Sequence, residues 1–249
     1  MRTIIPTTSS NPYSLSNCSI VISYSSTLNV NMNRKQVYRF NATQSSLIAE
    51  VVGTFALVFL GCGAVILSEI GNLNPQLVPF IFGATITSCV YLLGKYSGAH
   101  FNPAVTIGFF INREISAKDG ALYIVVQIFS ALAASLLHNV IFTAQHSFGT
   151  TTVSTTYISG SIAEILCTAF LMLVILLVTR NDNRIYGLAI GGAVAVSALL
   201  IGDMTGASLN PARSIGPMLL YGNINELWFY TITPICGAVG ITKLYKAIT

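Results

Sequence analysis

Only 8% of the 249 residues are charged and 53% are hydrophobic, against about a quarter charged in a soluble domain. Such a chain cannot clothe itself in a water-facing surface, and its composition places it in a bilayer. The formal charge of +4 comes from Lys and Arg that form no run or face, which excludes nucleic acid as a partner.

Residues 1–40 are rich in Ser, Asn and Thr and read as a disordered N-terminal tail. Their best apolar run, Ile20 to Tyr24, is far short of a signal-peptide core. Met32-Asn33-Arg34-Lys35 has the look of a polar start before a first membrane helix, which makes Met32 a candidate start. Six stretches are long and apolar enough to span about 30 Å of hydrocarbon. They are expected near 46–68, 77–94, 120–144, 161–180, 184–202 and 227–246. Small residues such as Gly53, Gly61, Gly83 and Gly191 pepper them, as in helices that pack closely in lipid. Two apolar pieces, near 102–110 and 210–220, are only about half a bilayer long at 1.5 Å per residue. The five cysteines lie far apart without metal-ligand spacing. They read as packing residues, and neither a metal nor another cofactor is expected.

The chain repeats itself. Ile48-Ala49-Glu50 opens the first span and Ile162-Ala163-Glu164 the fourth, 114 residues later. Ser97-Gly98-Ala99-His100-Phe101-Asn102-Pro103-Ala104 precedes the third span, and Thr205-Gly206-Ala207-Ser208-Leu209-Asn210-Pro211-Ala212 precedes the sixth, the two Asn standing 108 positions apart. The expected division is a channel domain over 41–249, with repeat one at 46–144 and repeat two at 161–246. Three spans per repeat is an odd number, so the second repeat must enter the membrane upside down. Inverted repeats of this kind place a functional site where broken helices meet at the midplane.

Asn is a preferred N-cap and Pro a preferred first helical residue, so Asn102-Pro103-Ala104 and Asn210-Pro211-Ala212 each start a short helix. Each Asn oxygen can accept a helix N–H, leaving its NH₂ group free to donate elsewhere. The carbonyls ahead of each Asn are expected to face a wet cavity, since irregular backbone at this depth is tolerated only there or buried in protein. Two helix N-termini aimed at one point make it positive, which bars cations and breaks proton relay while letting neutral molecules pass. Arg213, a charge inside a short membrane segment, is a functional residue by default and is assigned to the selectivity ring. Symmetric Glu50 and Glu164 are expected to hold the re-entrant loops. His100 is a pore-lining candidate with loop packing as the alternative, and His138 and His146 read as structural. Lys and Arg gather in segments that share one side with both termini, while 69–76 and 145–160 contain none. By the positive-inside rule both termini are cytoplasmic.

From about residue 46 onward these motifs resemble the major intrinsic protein family of aquaporins and aquaglyceroporins. The resemblance implies six transmembrane helices plus two re-entrant half-helices, arranged as a right-handed all-α barrel with one pore per subunit in a homotetramer of the cell membrane. It also implies an outer filter of Phe82, Ala198, Ala207 and Arg213. Water-only members usually carry His where Ala198 stands, whereas glycerol channels typically carry Asp where Ser214 stands. Tyr230 and Thr231 match neither type. The reading is a passive, non-enzymatic channel for water and small neutral solutes such as glycerol, urea, hydrogen peroxide and ammonia. A strictly water-selective channel is the alternative within the family, and a secondary transporter is the alternative of another class.

Overall fold

The computed structural model describes residues 40–143, 147–179, 184–220 and 224–249. The tail reading for residues 1–39, the candidate start at Met32, Cys18, His146 and Arg180 lie outside them. Six long helices are apolar enough to cross a membrane: α1 (Gln44–Glu69), α2 (Val78–Ser97), α4 (Ala117–Ile141), α5 (Tyr157–Val178), α6 (Tyr186–Thr205) and α8 (Leu227–Ile248). Two short ones, α3 (Pro103–Ile111) and α7 (Pro211–Leu220), complete the α-helices among the described residues. The only β pairing among the described residues is an isolated bridge between Phe40 and Ile115.

Local chemistry sets the boundaries. Thr43 and Ser46 form a reciprocal capping box at the start of α1. Ser116 and Thr156 cap α4 and α5 through their hydroxyls. Gly98 and Gly206 end α2 and α6 in the left-handed conformation, which costs glycine little. Both re-entrant loops therefore begin with the same turn.

The helices are inside out relative to a soluble bundle. Leu92, Phe129, Val140, Ile158, Leu166 and Leu200 point outward, while Glu50, Thr54, Gln127, Ser135, Glu164 and Thr168 are buried. In water such a surface would be an aggregation face; in lipid it faces acyl chains. The two repeats interlock: α2 packs on α6, α3 of the first repeat on α8 of the second, and α7 of the second on α4 of the first. At the α2–α6 crossing stand Gly83 and Gly191, 108 residues apart and so equivalent in the repeat. A Cβ on Gly191 would lie 2.3 Å from the Gly83 carbonyl oxygen, and one on Gly83 would lie 2.7 Å from the Gly191 oxygen. Only glycine at both places permits this backbone contact. Phe40, at the edge of the described residues, docks on the helices: its N–H donates to the Glu114 carbonyl at 2.7 Å and its ring meets His100 and Phe109 edge-on.

Candidate functional site

The two Asn-Pro-Ala turns meet. Asn102 caps α3 by accepting the Ala104 N–H at 2.8 Å, and Asn210 caps α7 by accepting the Ala212 N–H at 3.0 Å. Each side-chain amide also reaches across to the other loop. Asn102 Nδ2 donates to the Leu209 carbonyl and Asn210 Nδ2 to the Phe101 carbonyl, both at 2.8 Å. The NH₂ group that each cap leaves free to donate elsewhere finds a partner in the loop opposite: one hydrogen of each is committed to a brace between the half-helices, which gives a buried carbonyl its donor. The second hydrogen of each remains available. At 9 and 10 residues, α3 and α7 are about 14 and 15 Å long. Their N-cap residues bond to each other's loops, so their axial dipoles bring two positive ends together.

Two buried carboxylates shape the loops that lead there. Glu50 lies in the second turn of α1, fully buried, and accepts the N–H groups of His100 at 2.9 Å and Phe101 at 2.7 Å. Glu164, in the second turn of α5, accepts those of Ser208 at 2.7 Å and Leu209 at 2.9 Å. A trans peptide holds each N–H antiparallel to the preceding carbonyl. Pulling these four N–H groups into the protein thus turns the carbonyls of Ala99, His100, Ala207 and Ser208 the opposite way. All four of those residues line one cavity. The cost is visible in the backbone: Ala99, Phe101, Ala207 and Leu209 hold φ of 53°, 49°, 45° and 54°, each a strained conformation for a residue with a Cβ.

Further side chains complete the support, and of these only Thr205 lies in a repeated motif. Gln127 Nε2 donates to Glu50 at 2.7 Å and to Thr106 Oγ1 at 3.1 Å. Thr205 Oγ1 donates to Glu164 at 2.8 Å. Tyr123 and Tyr230, 107 residues apart, donate to the carbonyls of Ser97 and Thr205 at 3.2 and 2.7 Å, which are the last helical residues before each re-entrant loop. That shared offset is the one signal in the sequence that singles out the tyrosines.

The cavity has a volume of about 290 Å³ and is lined by residues of both repeats, including Asn102, Asn210, Phe82, Ala198, Ala207 and Arg213. Arg213 is only 4% exposed; its Nη1 donates to the Gly149 carbonyl at 2.7 Å and its Cζ lies 5.2 Å from the centre of the Phe82 ring. Phe82 leans on Gly61, where a Cβ would come within 2.2 Å of the ring. His100 lines the cavity, and its ring packs against Phe40, Phe109 and Tyr123 with Nδ1 3.0 Å from Thr106 Oγ1. His138 is buried with Nε2 at 2.9 Å from the Phe59 carbonyl. Thr231 bonds within its own helix. Among the described residues no group of His, Cys, Asp and Glu has the arrangement of a metal site.

A family model described as major intrinsic protein matches residues 37–245. The chain belongs to the major intrinsic protein family. It is 36% identical to aquaporin NIP1-1 of Zea mays, over 81% of this chain and 74% of that protein. It is 34% identical to nodulin-26 of Glycine max, over 81% and 77%. Its backbone superposes on the X-ray structure of the aquaglyceroporin from Plasmodium falciparum with a TM-score of 0.69 and 27% identity, covering 82% of this chain and 96% of that one. The protein is an aquaporin-type, multi-pass membrane channel with six spans.

Proposed function

We propose that this major intrinsic protein conducts water and small neutral solutes, among them glycerol, urea, hydrogen peroxide and ammonia, and excludes protons and ions. The reading rests on one observation: α3 and α7 start at a shared cavity, where each Asn cap is bonded to the loop of the other half-helix. The remaining Asn102 and Asn210 hydrogens serve as donors to a solute oxygen. A water held there points its own hydrogens away on both sides, so a proton relay is broken, and the paired helix starts repel cations. The carbonyls of Ala99, His100, Ala207 and Ser208 supply acceptors along the way. Asn102-Pro103-Ala104 and Asn210-Pro211-Ala212 are the pore motifs, and Glu50 and Glu164 carry the loops.

Phe82, Ala198, Ala207 and Arg213 form the constriction in this reading. Two of the four positions carry only a methyl group, which leaves room beside the guanidinium for a polyol or an amide. Likeness to a structure described as an aquaglyceroporin supports the wider range. Ser214 favours the strictly water-selective alternative. Its side chain is fully buried, however, and bonded to Ser208 and Thr151, so it acts on the passage only through its neighbours. The secondary-transporter alternative needs intramembrane carboxylates that exchange ions. Glu50 and Glu164 are both occupied by backbone and side-chain donors. The positive-inside bias supports cytoplasmic termini, with the cell membrane and a homotetramer as the setting and the division into a tail, 1–40, and a channel domain, 41–249. No enzymatic step is part of the reading. Stopped-flow light scattering on proteoliposomes decides the range: water, glycerol and urea permeabilities should all rise above those of empty vesicles. A rise for water alone selects the strictly water-selective reading.

A further inference from the structure

The two repeats support their Asn-Pro-Ala turns with different parts. Four residues after each Asn stands a hydroxyl, Thr106 or Ser214, and two residues before it stands His100 or Ser208. In repeat one Thr106 Oγ1 lies 3.0 Å from His100 Nδ1, donates to the Asn102 carbonyl at 3.0 Å, and accepts from Gln127 Nε2 at 3.1 Å. In repeat two Ser208 Oγ donates to the Asn210 carbonyl at 3.0 Å and lies 2.6 Å from Ser214 Oγ. A hydroxyl has one hydrogen, so Ser214 must donate to Ser208, and Ser214 in turn needs a donor. The offset of 107 that pairs Tyr123 with Tyr230 pairs Gln127 with Pro234, which has no side-chain donor. The donor comes instead from Thr151, whose Oγ1 lies 2.8 Å from Ser214 Oγ and which is 1% exposed. Thr151 belongs to the connection between α4 and α5, outside the repeated pattern.

The same connection holds Arg213 directly, through the Gly149 carbonyl. Gly149 has φ of +70°, and a Cβ there would lie 2.6 Å from Cys62 Cβ. The connection is thus pressed on α1 on one side and hydrogen-bonded to α7 on the other. We propose that Thr151 is a positioning residue for solute selection. Its bond to Ser214 locks the first turn of α7, and with Gly149 it fixes where the Arg213 guanidinium stands in the constriction. This rests on the reading of Arg213 as part of that constriction.

The test uses the full chain in proteoliposomes, with water, glycerol and proton fluxes measured on the same preparations. Thr151→Val keeps the shape and removes the donor; Thr151→Ser keeps the donor; Ser214→Ala breaks the link from the other end and decides the matter if Thr151→Val does not fold. Losing one hydrogen bond that orients a charge should raise the glycerol-to-water ratio about threefold or more. Thr151→Ser should restore it, and Thr151→Val should add nothing in an Arg213→Val background. The proposal is overturned if Arg213→Val changes the ratio and Thr151→Val and Ser214→Ala do not. It also falls if all fluxes drop in proportion, or if the Thr151 and Arg213 effects add independently. If Arg213→Val itself leaves the ratio unchanged, the constriction reading fails and takes this one with it.

Discussion

Arg213 is the side chain whose removal should speak most clearly. A guanidinium 4% exposed in a cavity wall is screened less than the same charge in bulk water. Arg213→Val should therefore raise proton or cation leak by roughly tenfold or more, the scale on which clefts of one charge sign alter local ion concentration. Pyranine-loaded proteoliposomes under a pH step would measure it, and unchanged proton tightness would remove Arg213 from ion exclusion. Ala198 lines the same cavity, so Ala198→His adds bulk and a polar ring and should cut glycerol flux more than water flux. Equal losses would place Ala198 away from the constriction. The Asn-Pro-Ala turns were legible because cap and proline are local instructions. The bond from each Asn to the opposite loop was not legible. It depends on two segments more than a hundred residues apart, and the sequence states neither their separation nor their angle. The same holds for Gln127 and Thr151, polar residues whose partners exist only once the helices are packed.

At the scale of the element, the loops are strained and the carboxylates hold the strain. Four non-glycine residues at positive φ cost about 1–3 kcal/mol each. The bonds to Glu50 and Glu164 offset that cost only while both oxygens of each carboxylate accept. Glu164→Gln turns one acceptor into an NH₂ group that faces N–H and O–H donors. It should lower stability by about 1–3 kcal/mol, the cost of an unsatisfied buried polar group, seen as earlier unfolding in detergent. A melting curve equal to wild type would mean the loop is held by other contacts. The α2–α6 crossing gives a second element-scale expectation. Gly191→Val would drive atoms into the Gly83 backbone, and no rotamer change relieves a clash that begins at Cβ. The variant should fail to yield a stable channel, and a well-folded one would show that the crossing can open. Span positions were readable from apolar length to within a few residues, since lipid rewards length and hydropathy directly. Which spans touch was not, because every outward face reads alike.

For the whole molecule, the inverted repeat builds a passage without building a machine. A transporter must present its site to one side at a time, by moving one repeat against the other. Here the repeats are braced at several levels: glycine to glycine at the α2–α6 crossing, Asn to carbonyl at the cavity, and each half-helix packed on a helix of the other repeat. Each level resists rocking, because close-packed contacts of this kind do not deform gradually. Flux through such a frame follows the gradient alone. Glycerol entry into vesicles should grow linearly with the imposed gradient, run equally in both directions, and be unaffected by unlabelled glycerol on the far side. Saturation together with acceleration by solute on the far side would mark an alternating carrier, and would mean that the braces across the repeats open during each cycle.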